Sequence, residues 1–190
     1  EIVDYIRSKN NGIIISVSTN AHLPISVKMA EDLADKIDTI QVSIDGIGKV
    51  YEKVRLKSDY SFFYENMLQT IEACRGKRAT VMFNFVAIKE NYHDMADVVE
   101  LAGKLGVKYV NITPFNVASV TIHDKTYYDF FQTAEFKSEL KRAKAMSKNY
   151  PEIEFTTWDI EVPKGFRKCD LVWSHFYVSW DGYATPCCAK

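Results

Sequence analysis

Apolar residues in this chain fall into short continuous runs, separated by longer stretches where they recur every three or four positions. Ile13-Ile14-Ile15-Ser16-Val17 is one such run and predicts a strand buried on both faces. Before it, Ile2, Val3 and Ile6 share a helical face, and Asn10-Asn11-Gly12 supplies a C-terminal stop. After it, Ile25, Met29, Leu33 and Ile37 recur at helical spacing, with Pro24 suited to the first turn. Residues 39–44 predict a second strand. Ser61 is the expected cap of a helix whose inward face is Phe63, Met67, Leu68 and Ile71, with Gly76 ending it. Residues 80–86 predict a third strand, rich in Val and Phe. Asn91 is the expected cap of a helix carrying Met95, Val98, Val99, Ala102 and Leu105, closed by Gly106. Residues 107–112 predict a fourth strand. One long helix over 127–148 turns Phe130, Phe131, Phe136 and Leu140 inward, Pro151 stops it, and residues 153–157 predict a fifth strand.

Strands alternating with helices argue for an α/β fold with a parallel sheet and right-handed crossovers. The pattern breaks at residues 161–168, where Pro163 and Gly165 interrupt it. Residues 176–185 then read as a hairpin about Asp181-Gly182, a strong two-residue turn signal. The expected organisation is an α/β domain over 1–160 and the start of a small β element over 161–190.

The balance of charge narrows the function classes. Among 190 residues, 24 Lys and Arg stand against 25 Asp and Glu, a net charge of -1, so no basic field draws the chain to nucleic acid or to an anionic membrane. No apolar run approaches a membrane span, and charges throughout Glu1–Asn10 leave no signal-peptide core. Cys74 lies within a helical pattern and reads as a buried or half-buried thiol. Cys169, Cys187 and Cys188 crowd into the last 22 positions, which suits a metal site in a reducing, cytoplasmic compartment better than a disulfide framework. No pair of cysteines or histidines has zinc-site spacing, and no Walker loop or dinucleotide-binding glycine turn occurs. His22, His93, His123 and His175 read as ordinary loop and helix-end histidines. The chain begins without Met inside an amphipathic helix and stops two residues past a cysteine pair, so a fragment of a longer protein is expected.

In parallel α/β folds ligands gather where strands end and loops begin. Those exits carry Ser18-Thr19-Asn20, Ser43-Ile44-Asp45-Gly46, Lys89-Glu90-Asn91 and Thr113-Pro114-Phe115. Ser43 and Asp45 are two apart on one strand and so face the same side. A hydroxyl beside a carboxylate suits the hydroxyls of a ribose. The plainer alternative is an Asp-Gly turn with Ser43 as filler.

Taken in order, Thr19-Asn20, Ser43-Ile44-Asp45-Gly46, Arg55 ten residues beyond Asp45, Ser61-Phe62 and Asn66 resemble the middle of the radical S-adenosylmethionine (radical SAM) enzymes. Cys169, twelve intervening residues, Gly182, four more, and Cys187 resemble the opening of the SPASM-type C-terminal extension found on some of them. The resemblance implies the later part of a partial (βα)6, TIM-like barrel, ending in the first hairpin of a small cluster-binding domain. It implies S-adenosylmethionine near Thr19, Asn20, Ser43 and Asp45, its carboxylate on Arg55, Phe115 against the adenine, and Asn91 bordering the site. Cys169 and Cys187 would ligate an auxiliary iron–sulfur cluster, with Cys188 extra to the pattern.

The implied activity of the parent protein is reductive cleavage of S-adenosylmethionine at a 4Fe–4S cluster, followed by hydrogen abstraction from a peptide, protein or small-molecule substrate. A reductant such as flavodoxin or ferredoxin is the implied partner, and the reaction could be a peptide modification, a dehydrogenation or a cofactor maturation. Three departures stand out. Ala21 follows Asn20 where the family has Gly, Tyr51-Glu52 stands where many members have His-Asp, and no C-x3-C-x2-C occurs. The ligands of the SAM-binding cluster are therefore expected outside this chain, and the chain as given is expected to be inactive. The rival expectation is a noncatalytic, degenerate barrel that binds a nucleotide or a partner protein.

Overall fold

The structure is a computed structural model that describes residues 1–22, 27–115, 125–157, 177–178 and 181–185. Its elements run α1 (Ile2–Lys9), β1 (Ser16–Thr19), α2 (Val27–Ala34), β2 (Thr39–Ser43), α3 (Lys49–Val54), α4 (Tyr60–Ala73), β3 (Thr80–Ala87), α5 (Met95–Leu105), β4 (Tyr109–Pro114), α6 (Lys125–Gln132), α7 (Ala134–Ser147) and β5 (Glu154–Thr157), then β6 (Tyr177–Val178) and β7 (Ala184–Thr185). Strands β1 to β5 form one all-parallel sheet in sequential order. A sheet wound always in the same direction, with right-handed crossovers, gathers its helices on one face. Burial alternates accordingly. Ile40, Val42 and Ile44, then Val81, Phe83, Phe85 and Ala87, then Val110 and Ile112 are buried. They form one core with Phe63, Met67 and Ile71 of α4, Met95, Val98, Val99 and Ala102 of α5, and Phe136, Leu140 and Ala143 of α7. The intervening residues, among them Gln41, Ser43, Asn84, Asn111 and Thr113, are only half-buried on the other face.

Four expectations are corrected. The first strand is not the Ile13–Val17 run: it begins at Ser16, and Ile13 and Ile14 are 44% and 79% exposed. Ile13 is held back by Arg7, whose Nη1 takes its carbonyl at 2.5 Å, while the Ile15 amide donates to Asp38 Oδ2 at 2.7 Å. That clasp sets Ser16 opposite Thr39 and leaves β1 at the sheet edge. The predicted long helix is two. Thr133 takes an extended backbone and caps α7, its hydroxyl accepting from the Phe136 amide at 3.3 Å and donating to the Phe130 carbonyl at 2.7 Å. The break lets Phe130 and Phe131 fold back on Phe136, with ring centroids 5.4 and 5.0 Å away. Asp59, not Ser61, caps α4, accepting from the Phe62 amide at 3.0 Å. Asn91 does not cap α5 with its side chain either: it precedes a single 3-10 turn over Tyr92–Asp94, α5 starts from Asp94, and the Asn91 side chain is used elsewhere.

The C-terminal hairpin is present as a separate two-stranded antiparallel sheet with Tyr177 opposite Thr185, and Gly182 at φ +89° makes its turn. The expected boundary at 160/161 lies outside the described residues. None of the described helices is long and apolar enough to cross a membrane.

Candidate functional site at the exits of β1 and β2

The chain leaves β2 through Ile44-Asp45-Gly46, and the Asp45 carboxylate is held from two sides. Arg55, which closes α3, donates Nε to Asp45 Oδ2 at 3.0 Å, and its Nη2 forms an ion pair with the same oxygen at 2.7 Å. The Val86 amide of β3 donates to Oδ1 at 3.0 Å. Each carboxylate oxygen thus has a donor, and among the described residues Oδ1, bonded to the Val86 amide alone, keeps an acceptor position. Asp45 is buried and Arg55 half-buried, so the pair is shielded from water and held in one orientation.

Gly46 explains the glycine after Asp45. Its φ is +144°, and a Cβ there would sit 2.9 Å from Val50 Cγ1 and 3.0 Å from the Tyr51 backbone nitrogen. Only a residue without a side chain lets α3 start this close to the strand end. Asp94 Oδ2 accepts from the Ile47 amide at 2.8 Å and anchors the same turn, and burial raises the Asp94 carboxyl above its ordinary value. Asn91 is buried and ties the two strand exits together. Its Nδ2 donates to the carbonyls of Asp45 at 3.1 Å and Val86 at 2.9 Å, and its Oδ1 accepts from the Ile88 amide at 2.7 Å.

At the β1 exit the side-chain oxygens of Thr19 and Asn20 shape a turn. Thr19 Oγ1 accepts from the Ala21 amide at 3.0 Å, and Asn20 Oδ1 from the His22 amide at 3.1 Å. Ala21 has φ +53°, so the left-handed conformation that glycine favours is kept although the residue is alanine. Asn66 of α4 stabilises it, donating Nδ2 to the Ala21 carbonyl at 2.8 Å. His22 and Tyr51 join the two exits. Tyr51 is fully buried, its hydroxyl lies 3.0 Å from His22 Nε2, its ring stacks on Phe63 at 4.3 Å, and the Arg55 guanidinium lies 5.9 Å from its centroid. Burial pushes the Tyr51 phenol up to about 12, so it stays protonated as a donor or acceptor.

Of the residues singled out from sequence, Asp45, Arg55 and Asn91 form one bonded cluster. Ser43 ends β2 beside them, and Thr19 ends the adjacent strand, in register with Val42. Phe115 follows β4 at the same end of the sheet, its amide donating to the Ala87 carbonyl at 3.0 Å. Cys169 and Cys187 lie outside the described residues, as do Cys188, His123 and His175. Among the described residues no group of three or more His, Cys, Asp or Glu could hold a metal ion. Cys74 is buried at the opposite end of the sheet, beside a cavity of about 430 Å³ that Arg75, Lys77 and Lys108 also line. Burial raises its thiol above the ordinary value, the reverse of what a reactive cysteine needs.

Sequence reasoning missed the parts played by His22, Tyr51 and Asp94, and gave Asn66 a place in the motif without a role. Two of them left a signal. Tyr51 stands four residues before Arg55, one helical turn away, and Asn66 is a polar residue on a face otherwise made by Phe63, Met67 and Ile71.

No family model matches the chain, and no curated protein does. Among solved structures the fold is similar to that of SuiB from Streptococcus suis, with a TM-score of 0.65 at 13% sequence identity, over 96% of this chain and 45% of that chain. The chain thus spans less than half the length of SuiB, and at this identity the likeness is one of fold.

Proposed function

We propose that the chain is part of a radical SAM enzyme and that the exits of β1 and β2 hold S-adenosylmethionine. SuiB, whose fold the chain shares, is a radical SAM enzyme. In this reading the sequential parallel sheet with helices on one face is the later part of a partial (βα)6 barrel, and the polar face is its interior. The observation that carries the reading is the buried Asp45–Arg55 pair at the end of β2.

The residues fit the ligand. Arg55 uses Nε and Nη2 on Asp45, which fixes the guanidinium plane and leaves Nη1 for a carboxylate. The free acceptor position on Asp45 Oδ1 and the Ser43 hydroxyl suit ribose hydroxyls. Thr19 and Asn20 border the mouth, and Phe115 is available to the adenine. Asn91, Asn66, His22 and Tyr51 are positioning residues that fix the two exit loops relative to each other. With a reduced 4Fe–4S cluster, S-adenosylmethionine supplies hydrogen-atom abstraction. The protein's own task is to bind it, orient it and exclude water. The ligands of that cluster belong to a part of the protein beyond this chain. Cys169 and Cys187 are the candidates for an auxiliary cluster, and a peptide, protein or small molecule is the substrate class.

The test is anaerobic reconstitution of the longer protein with iron and sulfide, followed by an assay for 5′-deoxyadenosine under reductant. Cleavage that falls at least tenfold in Arg55→Lys supports the reading. A protein that takes up no cluster and cleaves no S-adenosylmethionine instead supports a noncatalytic barrel binding a nucleotide or a protein. The 190-residue chain by itself is expected to give no cleavage.

A further inference from the structure

A parallel sheet is ordinarily covered on both faces, and its strands are then apolar on both. Here the face away from the helices is largely polar, although Met82, Val86 and Tyr109 also lie on it. It carries Ser16 and Ser18 of β1, Gln41 and Ser43 of β2, Asn84 of β3, Asn111 and Thr113 of β4, and Thr156 of β5. Of all the residues in these five strands only Glu154, on the last strand, is charged. One row crosses four strands without interruption, because the register sets Ser43 opposite Asn84, Asn84 opposite Asn111 and Asn111 opposite Thr156. Within it Asn111 Nδ2 donates to Asn84 Oδ1 at 2.7 Å, and Thr156 Oγ1 donates to Asn111 Oδ1 at 3.0 Å. The Asn84 Nδ2 group, beside Ser43 in the register, bonds no other described residue. Neighbouring strands are about 4.8 Å apart, so the row is a strip of evenly spaced amides and hydroxyls that offers both donors and acceptors.

We propose that the Asn84–Asn111–Thr156 row is a specificity strip that takes a small molecule through an uncharged carboxamide group and rejects the carboxylate of the same shape. This rests on the reading of the polar face as the ligand-bearing side, and it names the chemistry of the substrate rather than of S-adenosylmethionine. A carboxamide presents one donor edge and one acceptor edge, and each finds its complement on an asparagine amide. A carboxylate presents acceptors alone. It meets no cation in the row and loses its hydration against an uncharged surface. A phosphate group fails for the same lack of a counter-charge.

The test is a titration of the ¹⁵N-labelled 190-residue chain with propionamide and, separately, with propionate, its near-isosteric anion. The side-chain NH₂ resonances of Asn84 and Asn111 report binding. The expected result is saturable shifts of both resonances with the amide, and an affinity for the acid at least threefold lower. Asn84→Asp is expected to weaken amide binding at least threefold, with Asn111→Asp as a second variant should the first fail to fold. Equal responses to the two probes, no saturable response to the amide, or an unchanged amide affinity in a folded variant overturns the proposal. A parallel titration with S-adenosylmethionine, followed at the Arg55 Nε–H resonance, separates the two readings. Response to the amide without response to S-adenosylmethionine sinks the cofactor reading alone, and the converse sinks the strip alone.

Discussion

At the scale of single residues, the site is governed by groups whose bonds are already satisfied inside the protein. Asp45 is the clearest case. With Arg55 and the Val86 amide both on its carboxylate, its value is to hold Arg55 still. Arg55→Ala would leave that carboxylate buried without its cation, so a loss of about 3 kcal/mol is expected, read by urea unfolding. Gly46→Ala meets both a positive φ and backbone at 3.0 Å, and an expected cost of about 2 kcal/mol would appear in the same measurement. Tyr51→Phe removes only the hydroxyl that meets His22, so a smaller loss, about 1 kcal/mol, is expected. The string Ser43-Ile44-Asp45-Gly46 with Arg55 ten residues later was legible in the sequence because the contact is local, a strand end meeting the helix that follows it. His22 reaches Tyr51 across 29 positions, and Asn66 reaches Ala21 across 45. Contacts of that range are invisible to any pattern of spacing.

At the scale of elements, periodicity located the helices and strands, while their ends obeyed side-chain chemistry that periodicity does not see. The expected cap of α4 was Ser61, and the residue that caps it is Asp59, whose carboxylate meets the Phe62 amide. Asp59→Ala is expected to cost about 1 kcal/mol, whereas Ser61→Ala should leave thermal unfolding almost unchanged. Residues 127–148 kept a helical period throughout, yet Thr133 divides them, because the aromatic cluster of Phe130, Phe131 and Phe136 closes only if the axis turns there. The Ile13–Ile15 run shows the opposite error. Three consecutive isoleucines resemble a buried strand, but Arg7 and Asp38 settle where pairing starts, and two of the three remain outside the core.

At the scale of the whole molecule, the two ends of the sheet have different duties. The exits of β1 and β2 carry the candidate site. The opposite end is clasped by Asp38, which accepts from the Ile15 amide and from Arg7 and Arg78. Those bonds hold its carboxyl down at about 2, below the ordinary 3.8. A carboxyl depressed on folding stabilises the fold above its unfolded value, and that contribution disappears as pH falls from about 4 towards 2. Thermal unfolding of the native chain should therefore drop over that interval, and Asp38→Asn should be less stable at neutral pH with a shallower acid decline.

The sequence by itself determined the alternation of strands and helices, the parallel sheet they imply and the local motif at the end of β2, because each depends on residues a few positions apart. Tertiary structure alone decided which face of the sheet stayed polar, where β1 and α7 begin, and that Asp45 is bound by Arg55 and Val86 together. Those outcomes come from competition among distant groups for the same carboxylates and carbonyls, and only the packed chain brings the competitors within reach.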